Sequence, residues 1–195
     1  MKGEHLAGGC VVLGHQTRDN TFTTIEFDFG HEDPATALRS NTPKRILVGS
    51  QNGQLFDVNY QTREVQGVFK LHDASINSIA LSASFCVTGG DDQMLKVWPL
   101  DFSEFFVEAK HEGTVLSLDL SHDSVKVLCA ISTGGIGILN LEDQSYNTII
   151  RGHIDNVKEI AIHPFTKHII SLGEDCTIRV WDSNTFEQVC ELDRK

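Results

Sequence analysis

The sequence predicts an all-β fold built from a repeated four-stranded unit, and three observations carry that prediction. Asp92-Gln-Met-Leu-Lys-Val-Trp98 is echoed by Asp175-Cys-Thr-Ile-Arg-Val-Trp181, each with Asp six residues before Trp and alternating apolar residues between. Thr133-Gly-Gly-Ile-Gly-Ile-Leu139 and Asn52-Gly-Gln-Leu-Phe-Asp-Val58 hold the same place in two further units, so the closing positions 58, 98, 139 and 181 lie 40, 41 and 42 residues apart. A histidine keeps the same beat, at His72, His111 and His153. A fixed period of this length is the mark of a solenoid or a propeller.

The elements of one unit decide between these. In the last unit Val157–Ile162, His168–Ser171, Thr177–Trp181 and Gln188–Leu192 are short runs rich in β-branched or alternating apolar residues. Clusters of Pro, Gly, Asn, Asp and Ser separate them, at Pro164–Lys167, Gly173–Asp175 and Asp182–Thr185. Such runs bounded by turn formers read as strands. Four strands in some forty residues make one blade of a β-propeller. The blades are expected at about 14–71, 72–110, 111–152 and 153–193, after a leading strand at 10–13. The segment 30–44 contains Pro34, Pro43 and mixed charges. It reads as an exposed insertion loop between the first two strands of the first blade, with His15 as that blade's displaced repeat histidine.

Composition fits a packed core and limits the partners. The 195 residues carry 16 Lys+Arg against 27 Asp+Glu, a net charge of −11, and are 40% hydrophobic. An acidic balance argues against nucleic acid or an anionic membrane as partner, since both attract basic surfaces. No apolar run approaches the roughly 20 residues needed to span a bilayer. Cys10, Cys86, Cys129, Cys176 and Cys190 are odd in number, form no C-x-x-C and mostly sit in apolar runs. They read as buried free thiols of an intracellular protein.

With these residues in place, the Gly152-His153 and Trp181-Asp182 pairs resemble the WD40 repeat, and the likeness extends over about residues 10–193. The resemblance implies a hydrogen-bond network linking Trp, Ser or Thr, His and Asp. In the fourth blade this is His153, Ser171, Asp175 and Trp181, and in the second His72, Thr88, Asp92 and Trp98. The chemistry is coherent: indole only donates, an ionised carboxylate only accepts, and a hydroxyl and an imidazole can join them. The third blade keeps His111 but has Cys129, Thr133 and Leu139 at the other positions, and the first has Val48, Asn52 and Val58. Those two blades are expected to be held by apolar packing alone. WD40 rings usually have seven blades, so the chain reads as about half a ring, a fragment stable only with the missing blades.

No enzyme signature is present. There is no H-E-x-x-H, no G-x-S-x-G and no P-loop, and Gly134-Gly-Ile-Gly137 is not a dinucleotide fingerprint but a turn between two strands. No cofactor, metal site or catalytic residue is expected. Phe102, Phe105 and Phe106, following Pro99 where Asp usually follows Trp, are a candidate partner-docking ridge. Leu71–Ile79, Ser84–Gly89, Leu95–Ser103 and Glu108–Gly113 resemble a group of long centriolar and ciliary WD-repeat proteins. That resemblance implies a non-catalytic scaffold of the centriole wall, basal body or axoneme, with protein partners in a microtubule assembly. Tubulin contact would fall to other parts of a longer protein, because like charges oppose encounter of an acidic segment with the acidic tubulin surface. The alternative from another class is a soluble adaptor in a signalling or ubiquitin-ligase complex.

Overall fold

The computed structural model describes residues 10–16, 22–28, 33–40, 44–149, 152–166 and 168–193. The chain divides into two compact units, Met1–Ile76 and Asn77–Lys195.

In the first unit β1 (Cys10–Gln16) pairs antiparallel with β2 (Phe22–Asp28) as a separate two-stranded sheet. The blade proper is β3 (Ala35–Ser40), β4 (Arg45–Ser50), β5 (Gln54–Asn59) and β6 (Glu64–Lys70), in that order. The expected insertion loop at 30–44 is therefore corrected: it contains β3, the first strand of the blade. Pro34 and the charges concealed it. Pro34 stands just before the strand, where a missing N–H breaks no ladder bond. Only Ala35, Ala37 and Leu38 are apolar in β3, and Leu38, opposite Val48, is 47% exposed. The expected leading strand at 10–13 falls inside β1; the side chain of His15 lies outside the described residues. Ile46, Val48, Phe56 and Val58 form this blade's core. Gly53 turns the chain between β4 and β5 at φ +76°, and a Cβ there would stand 2.2 Å from the His72 carbonyl oxygen, so only glycine fits.

The second unit carries three four-stranded antiparallel sheets. They are β7 (Ile76–Leu81, starting at the boundary residue), β8 (Phe85–Gly90), β9 (Met94–Pro99) and β10 (Val107–Lys110); β11 (Val115–Leu120), β12 (Lys126–Ile131), β13 (Ile136–Asn140) and β14 (Tyr146–Ile149); and β15 (Val157–Ile162), β16 (His168–Gly173), β17 (Thr177–Asp182) and β18 (Gln188–Asp193).

The third blade, β11–β14, is packed on both faces, and strand alternation shows how. Successive side chains point to opposite faces. Val127, Cys129 and Ile131 join Val87, Leu95 and Val97 of the preceding blade in one core. Leu128 and Ala130, with Ile136 and Ile138, join Val157, Ile160, Ile169 and Trp181 of the following blade in another. This explains why β12 reads as a continuous apolar run, Val127 to Ile131, where a half-exposed strand would alternate. Polar contacts cross the same seam: Ser117 Oγ donates to Glu159 at 2.7 Å, and the Ile162 amide donates to Asp119 at 2.9 Å.

The thiols divide. Cys86 and Cys129 are buried, while Cys176 and Cys190 are exposed. The reading of mostly buried thiols is corrected accordingly: Cys176 occupies a turn at φ 64° and Cys190 lies on the exposed strand β18.

Candidate functional site

In the fourth blade the backbone brings four separated residues together. Trp181 on β17 and Ser171 on β16 lie on adjacent antiparallel strands, and Trp181 Nε1 donates to Ser171 Oγ at 2.9 Å. That hydroxyl is 2.7 Å from His153 Nε2, and His153 Nδ1 is 3.0 Å from Asp175 Oδ1. With Nδ1 protonated, every group has a role: indole to hydroxyl, hydroxyl to imidazole, imidazole to carboxylate. His153 is 1% exposed and Ser171 0%. Asp175, in the turn between β16 and β17, also accepts from the amides of Ile154 and Thr177, both at 3.1 Å, and from Thr177 Oγ1 at 2.8 Å. Burial pushes its carboxyl up, but the bonds from Thr177, Ile154 and His153 outweigh this and hold it well below the usual carboxylate range. Arg179 NH2 stands 3.7 Å from Asp175 Oδ2, and Arg179 also donates to the Gly152 carbonyl. Thr177 and Arg179 were not singled out from sequence; a hydroxyl two residues after the repeat Asp, at the Asx-turn position, was the available signal.

In the second blade Trp98 Nε1 donates to Thr88 Oγ1 at 2.8 Å, and Asp92 accepts the Met94 amide at 3.1 Å. His72 is buried at 1% exposure in the first unit, whereas Thr88, Asp92 and Trp98 belong to the second. The phenylalanines do not form one ridge. Phe102 is 5% exposed, and Phe105 meets Trp98 edge-on with centroids 5.5 Å apart. Lys96 Nζ lies 5.3 Å from the Phe105 centroid and 5.8 Å from that of Trp98, within cation–π range. Phe106 is the exposed ring, at 54%, with its edge geometry to Phe85 at 6.4 Å. The docking-ridge expectation is corrected to a single exposed ring because Phe102 packs inward.

The third blade is not held by apolar packing alone, which corrects the expectation for it. Tyr146 of β14 reaches across β13 and places its hydroxyl 2.6 Å from His111 Nδ1. Cys129 Sγ is 3.7 Å from His111 Nε2 and 3.9 Å from the Tyr146 hydroxyl. A phenol, an imidazole and a thiol thus link His111 to β12 and β14, where the fourth blade uses indole, hydroxyl and carboxylate. Gly137 makes this possible: a Cβ there would stand 2.2 Å from the Tyr146 hydroxyl and 2.4 Å from Cys129 Sγ. Burial raises the Cys129 thiol to about 12 and lowers His111 to about 4, so both are neutral near pH 7.

This has a pH consequence. His111 is depressed in the folded chain from 6.5 to about 4. The unfolded chain therefore binds more protons across that interval, and stability falls as pH drops from 6.5 toward 4. Urea midpoints at pH 7.5 and pH 5 should differ, and His111→Gln should reduce the difference; an unchanged difference would assign it to other groups.

Among the described residues no three His, Cys, Asp or Glu side chains are grouped to hold a metal ion.

Four-stranded antiparallel sheets following one another along the chain, with a buried Trp–Ser–His–Asp network in the fourth, define a WD40-type β-propeller protein. The family WD40 (WD domain, G-beta repeat) matches residues 63–99 and 144–182, and the chain carries WD40 repeats. Those two spans contain the repeat motifs of the second and fourth blades.

The chain is similar to WD repeat-containing protein 90 of Xenopus tropicalis, at 32% identity over 190 residues, 88% of this chain and 10% of that protein. It is similar to Centriole proteome protein 16 of Chlamydomonas reinhardtii, at 37% identity over 134 residues, 69% of this chain and 6% of that protein. The chain thus spans a tenth or less of the length of these two relatives. A chain in the crystal structure of the mitotic checkpoint complex shares the fold, with a TM-score of 0.84 at 14% identity over 94% of this chain and 60% of that one.

Proposed function

We propose that this chain is a non-catalytic scaffold segment of a centriole, basal-body or axoneme protein, supporting centriole integrity and cilium assembly through protein–protein contacts. The observation that carries the reading is its similarity to Centriole proteome protein 16 and to WD repeat-containing protein 90, the latter over 88% of the chain. The physics of the blades is compatible with it. A stack of sheets pinned by buried networks offers rigid edges and loops, and loops on rigid scaffolds are where partners bind. The net charge of −11 steers the segment away from the bare, acidic microtubule face and toward neighbouring proteins.

Loss of the gene product in ciliated cells should give fragmented centrioles and fewer cilia. Intact centrioles and normal ciliation after complete loss would overturn the scaffold reading and favour a soluble adaptor.

A further inference from the structure

The repeat makes it possible to ask what each blade does with one backbone amide. The position two residues after the repeat Asp carries an N–H at the start of the third strand. In the fourth blade this amide, Thr177, donates to Asp175 at 3.1 Å, and in the second its counterpart, Met94, donates to Asp92 at 3.1 Å. The first blade has Asn52 in place of Asp, and there the Gln54 amide donates to Ser50 Oγ at 3.1 Å. In the third blade the amide belongs to Gly135, the Asp position is Thr133, and the counterpart of Ser50 is Ile131. The second amide that Asp175 receives, Ile154, has Glu112 as its third-blade counterpart. Among the described residues no side-chain carboxylate reaches either amide in the third blade.

A cavity of about 530 Å³ lies at this place, lined by Glu112, Thr133 and Gly135, with His111, Tyr146 and Thr148 beside them. His111 does not fill the gap, because its Nδ1 is turned to the Tyr146 hydroxyl at 2.6 Å. We infer that this cavity is a binding site for a carboxylate side chain of a partner protein's peptide, which takes the place that Asp175 occupies in the fourth blade. The incoming carboxylate accepts from the Glu112 and Gly135 amides and from the Thr133 hydroxyl.

The volume favours a peptide over a small ion. Pockets of roughly 300–1,000 Å³ suit ligands well beyond the size of one carboxylate, and Thr148 and Ile131 offer walls for flanking residues. Charge contributes little: Lys110 and Glu112 both line the cavity and offset each other. Recognition therefore rests on the two backbone amides, which the two oxygens of a carboxylate can satisfy together and the single acceptor oxygen of a side-chain amide only in part. The inference does not depend on where the protein resides.

The test is an amide NMR titration of the 15N-labelled chain with the blocked peptide Ac-Gly-Asp-Gly-NH2, its Asn counterpart and acetate. The Asp peptide should move the Glu112 and Gly135 amide protons downfield and saturably, the Asn peptide, with one acceptor oxygen, should move them much less, and acetate should act more weakly. In Thr133→Asp the two amides should already be shifted and should no longer respond. Absence of a response to millimolar Asp peptide, an equal response to the Asn peptide, or acetate binding as tightly as the peptide would each overturn the proposal. The wild-type titration decides this even if the variant fails to fold.

Discussion

Asp175→Ala should destabilise the chain by about 3 kcal/mol, because it strands several donors at once, those of the buried His153 and Thr177 among them. The Thr177 and Ile154 amides, the Thr177 hydroxyl and His153 Nδ1 all lie within 3.1 Å of this carboxylate. An alanine methyl accepts from none of them, and leaving buried donors unpaired costs more than the bonds contribute when made. Asp175→Asn keeps one acceptor oxygen and should cost less than Asp175→Ala. The sign of the pH effect follows from the depressed carboxyl. Its contribution is present above the ordinary value of 3.8 and is lost as pH falls below it, through the folded-state value. Urea unfolding at pH 7 and pH 2 checks both statements, because the loss begins only below 3.8. A loss under about 1 kcal/mol for Asp175→Ala would mean that the network does not hold the blade.

The second large effect is expected at Gly137. An alanine there puts a methyl 2.2 Å from the Tyr146 hydroxyl and 2.4 Å from Cys129 Sγ, positions that atoms cannot share. Tyr146 must swing away and lose its 2.6 Å bond to His111, and Gly137→Ala should cost about 3 kcal/mol, the upper range for overpacking. The informative comparison is with Tyr146→Phe, which removes only the hydroxyl and should cost about 1 kcal/mol in the wild-type chain. In the Gly137→Ala background the same change removes the nearer of the two clashing atoms, leaving Cys129 Sγ, and should be stabilising. A double-mutant cycle measured by urea midpoints reads this change of sign. Additive effects would show that Gly137 is not what admits the Tyr146 hydroxyl.

The repeat was legible because Trp and Asp recur at one fixed spacing in two of the units. Trp98 and Trp181 close their strands in register, and Asp92 and Asp175 sit at the turn before. Their spacing was enough to place the second and fourth blades and the strands within them. Two things were not legible. β3 is a strand by virtue of its pairing with β4, and its short Ala-Thr-Ala-Leu-Arg-Ser run beside Pro34 has no apolar period of its own. The His111–Tyr146–Cys129 network replaces a motif with residues from different strands, 35 and 18 positions apart from the histidine. Reading it requires the register Ile138↔Asn147 and Leu139↔Tyr146, which no local pattern supplies. Thr133 looked like a loss from the repeat; in the structure it lines a cavity together with Glu112 and Gly135.

The most direct test of the functional account is the location of the full-length protein, tagged at its own locus and imaged by expansion microscopy in ciliated cells. The scaffold reading expects discrete signal on centrioles and basal bodies or along axonemes, retained after detergent extraction. Diffuse cytoplasmic signal that washes out with detergent would contradict it.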